Sequence, residues 1–162
     1  MIIAVIGGDS PPPPALAHAG AVGRAIAGRG HTLICGGRGG VMLEAARGAQ
    51  DAGGLTIGIL PGDDSTEANT HIDVPIPTGL GHARNAVVAR SAQAVIAIGG
   101  SYGTLSEIAF AAIFGRPIVG LDTWTARDHE GHDLPIHPAA TALEAVTLAE
   151  SLATGTGWSP ST

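Results

Sequence analysis

The chain has 162 residues, 44% of them hydrophobic and only 3% aromatic, with 25 glycines and a formal net charge of −6. That length suits one domain with a proper core rather than two, and an acidic balance without any basic run excludes the clustered cations that nucleic acid or an anionic membrane surface demands. All eight basic residues are arginine, so a Walker A lysine, a pyridoxal Schiff base and a lysine nucleophile are excluded together.

Short β-branched runs alternate with alanine-rich helical stretches, the pattern of a parallel sheet with helices on both faces. The expected fold is α/β: a single Rossmann-like domain over residues 1–153, with a mostly parallel twisted sheet of six or seven strands, and a flexible tail over 154–162. The opening Met1-Ile2-Ile3-Ala4-Val5-Ile6 has no basic n-region and runs straight into a first strand over 2–6, which points to the cytoplasm. No segment approaches the length of a membrane span. Pro11, Pro12, Pro13 and Pro14 follow, and since proline cannot donate a backbone hydrogen bond they predict an exposed spacer loop entering the first helix. That helix carries Leu16, Ala19, Val22 and Ile26 on one face.

A second strand over 32–35 ends on Cys35, the only cysteine, which reads as a small buried hydrophobe with no disulfide partner. The next helix aligns Met42, Ala45 and Ala49 and stops at Gly53-Gly54. Strands over 55–60 and 72–76 precede a helix over 82–92 and a strand over 94–98. The segment 105–114 is apolar almost all round, so its outer side is expected to be covered by another subunit, in a homo-oligomer that is a dimer or tetramer. After a strand over 117–121 comes a run with His129, His132 and His137 among Asp128, Glu130 and Asp133. Gly131 and Pro135 break any helix there, so the run reads as a solvated polar loop and no metal site is assigned. A last helix over 143–152 carries Leu143, Val146, Ala149 and Leu152 on one stripe.

Three glycine clusters fall at the carboxyl ends of predicted strands: Gly7-Gly8-Asp9-Ser10, Gly36-Gly37-Arg38-Gly39-Gly40 and Gly99-Gly100-Ser101-Tyr102-Gly103-Thr104. In a doubly wound sheet the ligand crevice lies at those ends, where helix N-termini offer free N–H groups and partial positive charge. Glycine lets the backbone amides approach phosphate oxygens, so the three loops predict a shared pocket for a phosphate-bearing small molecule. Its candidate binding residues are Gly8, Asp9, Ser10, Gly36, Gly37, Arg38, Gly39, Gly99, Gly100, Ser101, Tyr102, Gly103, Thr104 and Arg84. The spacing misses the dinucleotide fingerprint, because Met42 stands where its last glycine would be and no acidic residue closes the strand over 55–60. NAD and FAD are disfavoured.

Glu107 stands three residues after Thr104, so Thr104-Leu105-Ser106-Glu107 reads either as a capping box or as a carboxylate brought to the crevice by the turn before it. Thr141-Ala142-Leu143-Glu144 repeats the spacing without a glycine loop and serves as an internal control. Arg84, at the start of the helix over 82–92, could neutralise both a phosphate and Glu107.

Cys35-Gly36-Gly37-Arg38-Gly39-Gly40-Val41-Met42, Thr78-Gly79-Leu80-Gly81-His82-Ala83-Arg84-Asn85 and the block from Ile98 to Glu107 resemble the LONELY GUY (LOG)-like Rossmann superfamily, and most of all its molybdenum cofactor carrier branch. The resemblance implies oligomers and a phosphate-ligand pocket at the strand ends. In the LOG enzymes, which release a free base from a cytokinin nucleoside 5′-monophosphate, the catalytic residues are an Arg and a Glu that match Arg84 and Glu107. The sequence departs from their pattern where Asn85 replaces a Lys, Gly99 a Pro, Ser101 a Gly and Ser106 an acid, which weighs against hydrolysis. The label lysine decarboxylase carried by many relatives fails on chemistry, since there is no lysine to form the Schiff base. Three functions remain open: a carrier of a phosphorylated pterin such as molybdenum cofactor, a nucleoside 5′-monophosphate phosphoribohydrolase, and a nucleotide sensor. No cofactor is required; the molybdenum cofactor or a nucleotide monophosphate would be the bound ligand.

Overall fold

The computed structural model describes residues 1–155. Seven strands form one sheet: β1 (Ile2–Gly7), β2 (Thr32–Cys35), β3 (Thr56–Leu60), β4 (Val74–Pro77), β5 (Ala94–Ile98), β6 (Ile118–Leu121) and β7 (Ile136–Pro138). Their order is β4-β3-β2-β1-β5-β6-β7 and every adjacent pair is parallel. The central strands are bare apolar runs because both of their faces are covered. Ile3 and Val5 of β1 point into one core with α1 (Pro13–Gly28), α2 (Gly40–Asp51) and α5 (Ala142–Thr154). Ala4 and Ile6 point into the other, beneath α3 (Arg84–Ser91) and α4 (Tyr102–Ile113).

Because parallel crossovers are right-handed, the covering helices must change face when the chain reverses its direction across the sheet. That reversal falls between β1 and β5 and opens a crevice at their carboxyl ends. The shortage of aromatic side chains is met by close helix packing: a Cβ on Gly23 of α1 would run into the backbone of Ala45, and one on Gly48 of α2 into the backbone of Gly20.

Several expectations need correction. The four prolines are not wholly a spacer loop, since Pro13 and Pro14 open α1, where a missing N–H costs nothing in the first turn. The fourth strand starts at Val74 instead of residue 72, because the Asp73 carboxylate accepts from Thr56 N and Oγ1, both at 2.9 Å. Pro75 and Pro77 fit that strand's place at the sheet edge. His82 lies in a 3-10 turn, Gly81–Ala83, before α3 proper. Helix α4 begins at Tyr102, one turn before the expected 105. The polar run after β6 is a loop only in part, because it returns as β7, which contains His137 and pairs with β6. Of the expected tail, Thr154 is helical and Gly155 caps α5, while 156–162 lie outside the described residues.

Candidate functional site

The three glycine loops end β2, β1 and β5, which are neighbours in the sheet, so the loops lie side by side at the switch point. Val41 N, in the first turn of α2, donates to Gly8 O at 3.0 Å, and a Cβ on Gly40 would strike the backbone of Gly8 and Asp9. The first two loops therefore touch backbone to backbone. The third turns sharply through Gly99 (φ 53°) and Gly100 (φ 122°) into α4, with Ser101 as the helix N-cap residue.

Arg84 reaches into this crevice from the first turn of α3 and is 8% exposed. Its Nη1 donates to Glu107 Oε1 at 3.0 Å and to Asn85 Oδ1 at 2.7 Å, while Nη2 donates to Gly36 O at 3.4 Å. Gly36 must be glycine, because a Cβ there would occupy the space of the guanidinium. Arg84 thus joins the β2 loop to α4, as the sequence suggested for its partner Glu107.

The structure separates the two Thr-x-x-Glu segments. Thr141 Oγ1 accepts from Glu144 N at 3.2 Å and Glu144 Oε2 accepts from Ala140 N at 2.9 Å, a working helix cap. Thr104 instead lies inside α4, three residues past its N-cap, and Glu107 turns inward to Arg84. Burial pushes the Glu107 carboxyl up to about 7, against the attraction of Arg84 and with help from the charge of Asp9. It can exchange a proton near neutrality. Burial also pushes the Cys35 thiol up to about 12, which leaves it inert as a nucleophile.

Two buried polar atoms beside the third loop have no hydrogen-bond partner among the described residues: Arg84 Nε and Thr104 Oγ1. Buried donors are nearly always paired, and unsatisfied ones mark places where something else binds or strain is stored. Asp9, Ser10, Arg38, Gly100, Ser101 and Tyr102 are exposed around the crevice, Tyr102 at 82%. Arg38 stands at the rim, its carbonyl held by Asn69 Nδ2 at 2.8 Å, and does not join the buried Arg84–Glu107 pair.

Two of the departures from the LOG pattern prove to be one. Asn85 Nδ2 donates to Ser106 Oγ at 2.7 Å and to Gly103 O at 3.4 Å, so a neutral amide–hydroxyl pair fills the positions where the enzymes carry a lysine and an acid. Sequence reasoning missed the loop after β6: Thr123 Oγ1 donates to Gly99 O at 2.6 Å and Trp124 Nε1 to Ser101 O at 3.1 Å. The available signal was a tryptophan in a chain with only two. At the tip of that loop Asp128, Glu130 and His132 bring candidate ligand atoms within 4.8 Å of one another, all exposed.

A doubly wound parallel sheet with glycine loops on three adjacent strand ends and a buried Arg–Glu pair between them defines a LOG-like Rossmann protein. The chain belongs to the SLOG cluster4 family, whose profile matches residues 1–150. Its fold is similar to that of the molybdenum cofactor binding protein from Rippkaea orientalis, with a TM-score of 0.84 and 35% identity over 94% of this chain and 97% of that one. It is also similar to the molybdenum cofactor carrier protein of Chlamydomonas reinhardtii, with a TM-score of 0.80 and 37% identity over 93% of this chain and 97% of that one. A cytokinin riboside 5′-monophosphate phosphoribohydrolase of Mycobacterium marinum is 35% identical over 121 residues, 69% of this chain and 65% of the relative. The chain spans just under two thirds of the length of the sequence relatives it matches, 66% and 65%. Among the described residues no helix is long and apolar enough to cross a membrane.

Proposed function

We propose that the chain binds a phosphate-bearing small molecule, a nucleotide or a pterin phosphate, in the crevice between the three glycine loops, as a carrier of the molybdenum-cofactor type. The observation that carries this reading is the pair of buried, unpartnered polar atoms, Arg84 Nε and Thr104 Oγ1, beside the N-terminus of α4. A helix N-terminus preceded by glycine favours an oxyanion, and the Arg84 Nε–H and the Thr104 hydroxyl are the unpartnered donors such a group would use. The likeness to two molybdenum cofactor proteins over nearly their whole length supports the same ligand class. In this reading Gly8, Asp9, Ser10, Gly36, Gly37, Arg38, Gly39 and the segment from Gly99 to Thr104 line the phosphate end. Incubation with molybdenum cofactor followed by gel filtration tests it: molybdenum and oxidised-pterin fluorescence should co-elute with the protein. Failure to retain either, together with no thermal shift from AMP, other mononucleotides or pterin phosphates, rejects the reading.

Glu107 favours a second reading, a phosphoribohydrolase. With its carboxyl near 7 and beside Arg84, it could position water or stabilise positive charge building on ribose while the N-glycosidic bond breaks. AMP plus water would then give adenine and ribose 5-phosphate. The Asn85–Ser106 pair weighs against it, because the lysine and acid of the enzymes are absent together. Free base released from AMP, and lost in Glu107→Gln, would establish turnover; the third reading, a sensor, requires binding that changes assembly without release.

A further inference from the structure

A second concavity adjoins the crevice. The loop 122–135 folds back on itself through an Arg127–Asp133 bridge and walls a cavity of about 760 Å³ at the carboxyl ends of β6 and β7. That volume is in the range of small-molecule sites, roughly 300–1,000 Å³. Leu134, Ile136, Thr123, Trp124, Asp122 and Arg127 are among the residues that line it. Its wall is shared with the crevice, since the side chains of Thr123 and Trp124 are the donors bound to Gly99 O and Ser101 O.

Trp124 packs in part against the core under α3 and α4, but two features of the seam go beyond that packing. The chain has five aromatic residues in all, two Trp, one Tyr and two Phe, yet Tyr102 and Trp124 meet at this seam with ring centroids 5.8 Å apart and Tyr102 is 82% exposed. Asp122 is the one non-glycine residue at positive φ (47°) among the described residues, a conformation that aspartate tolerates better than most residues and that recurs at ligand clamps. Its carboxylate is 87% exposed, and the His18 ring lies beside it with Nε2 at 3.8 Å.

We propose that this cavity takes the flat heterocycle of the same ligand, with Trp124, backed by Tyr102 from outside the cavity, as its stacking wall and Asp122 reading its edge. The proposal rests on the reading of the crevice as the phosphate end. A carboxylate only accepts hydrogen bonds, and it binds best an edge that presents two neighbouring donors. The 2-amino-4-oxopyrimidine edge shared by pterin and guanine has a ring N–H beside an amino group. Adenine offers one donor beside an acceptor. The site should therefore prefer pterin and guanine phosphates to AMP.

The test uses the full chain with Trp158→Phe, so that Trp124 is the only tryptophan reporting. Neopterin monophosphate, GMP, AMP and ribose 5-phosphate are titrated while indole fluorescence and, independently, calorimetry are followed. Neopterin monophosphate and GMP should quench Trp124 and bind at least tenfold tighter than ribose 5-phosphate, and the tighter of the two identifies the source of the ring. Asp122→Asn should erase the preference over AMP. Trp124→Ala, read by calorimetry, should weaken neopterin monophosphate and GMP at least tenfold more than ribose 5-phosphate, whose loop Trp124 holds through Ser101 O. If all four bind alike and Trp124→Ala weakens them equally or not at all, the crevice reading stands and the cavity proposal is overturned. If ribose 5-phosphate fails to bind, the crevice reading is lost, and 6-hydroxymethylpterin and guanosine, which lack phosphate, decide the cavity alone: saturable quenching sustains it and its absence overturns it.

Discussion

The Thr104 hydroxyl is buried and unpartnered, and an unsatisfied hydroxyl pays its desolvation without return. Thr104→Val keeps the shape and removes the polar atom. The free protein should unfold at the same temperature or higher, gaining up to about 1 kcal/mol, while its affinity for a phosphate ligand falls about tenfold. Thermal melts and calorimetry with ribose 5-phosphate measure the two quantities; a loss of stability with unchanged affinity would make Thr104 purely structural. The Arg84–Glu107 contact was legible in the sequence because each residue follows a glycine turn or opens a helix in a known strand order. What stayed illegible was the side-chain direction that distinguishes Glu107 from Glu144, since a capping spacing is the same whether the helix starts at its threonine or three residues before it.

Among the elements, α5 and α4 carry opposite predictions from their shared motif. Thr141→Ala removes a formed cap and should cost about 1 kcal/mol of stability in denaturant melts, without touching ligand affinity. A helix α4 that buries one face in the sheet still presents Ala109 and Ile113 outward, Ile113 at 70% exposure, beside the stacked Phe110 and Phe114 rings at 5.9 Å. If that face meets a second copy, light scattering should give a multiple of 16.0 kDa, and Ile113→Asp should return the chain to 16.0 kDa with its melting temperature in the monomer unharmed. A wild-type chain already at the monomer mass would sink the idea. The central strands were readable because burial on both faces leaves an unbroken apolar run, as at residues 94–98. Strand β7 was not, because three residues ending in Pro138 at a sheet edge carry no run and no alternation. Nor could composition show that Pro13 and Pro14 are helical, since φ near −65° suits a loop and a first turn equally.

For the molecule as a whole, the ionisable groups set a pH window. Burial tends to raise Asp73 and Glu150, but hydrogen bonds from Thr56 to the first, and from His31 and Arg29 to the second, hold both below the ordinary carboxylate range. The stability they contribute is present above their unfolded values and is lost as pH falls through the folded ones. Glu107 has the opposite sign: raised from 4.5 to about 7, it contributes stability that is complete below pH 4.5 and gone once pH has risen through about 7. Cys35 behaves likewise, from 9.0 to about 12, on the alkaline side. The melting temperature should therefore peak at about pH 5 and decline toward pH 8, and Glu107→Gln should flatten that decline. The same group links protons to anions. Ionised Glu107 occupies the Arg84 guanidinium, whereas the protonated acid leaves that positive charge to an incoming anion. Sulfate, whose charge stays constant over this range, separates the effect from the titration of phosphate itself. Its stabilisation of the wild-type chain should be larger at pH 6 than at pH 8, on top of the general salting effect that acts on any protein. In Glu107→Gln, where the side chain is neutral at every pH, the added stabilisation should persist and be equal at both pH values. An increment with the same pH dependence in both chains would show that the Arg84–Glu107 pair lies outside the anion site, and the crevice would then bind its phosphate through backbone amides alone.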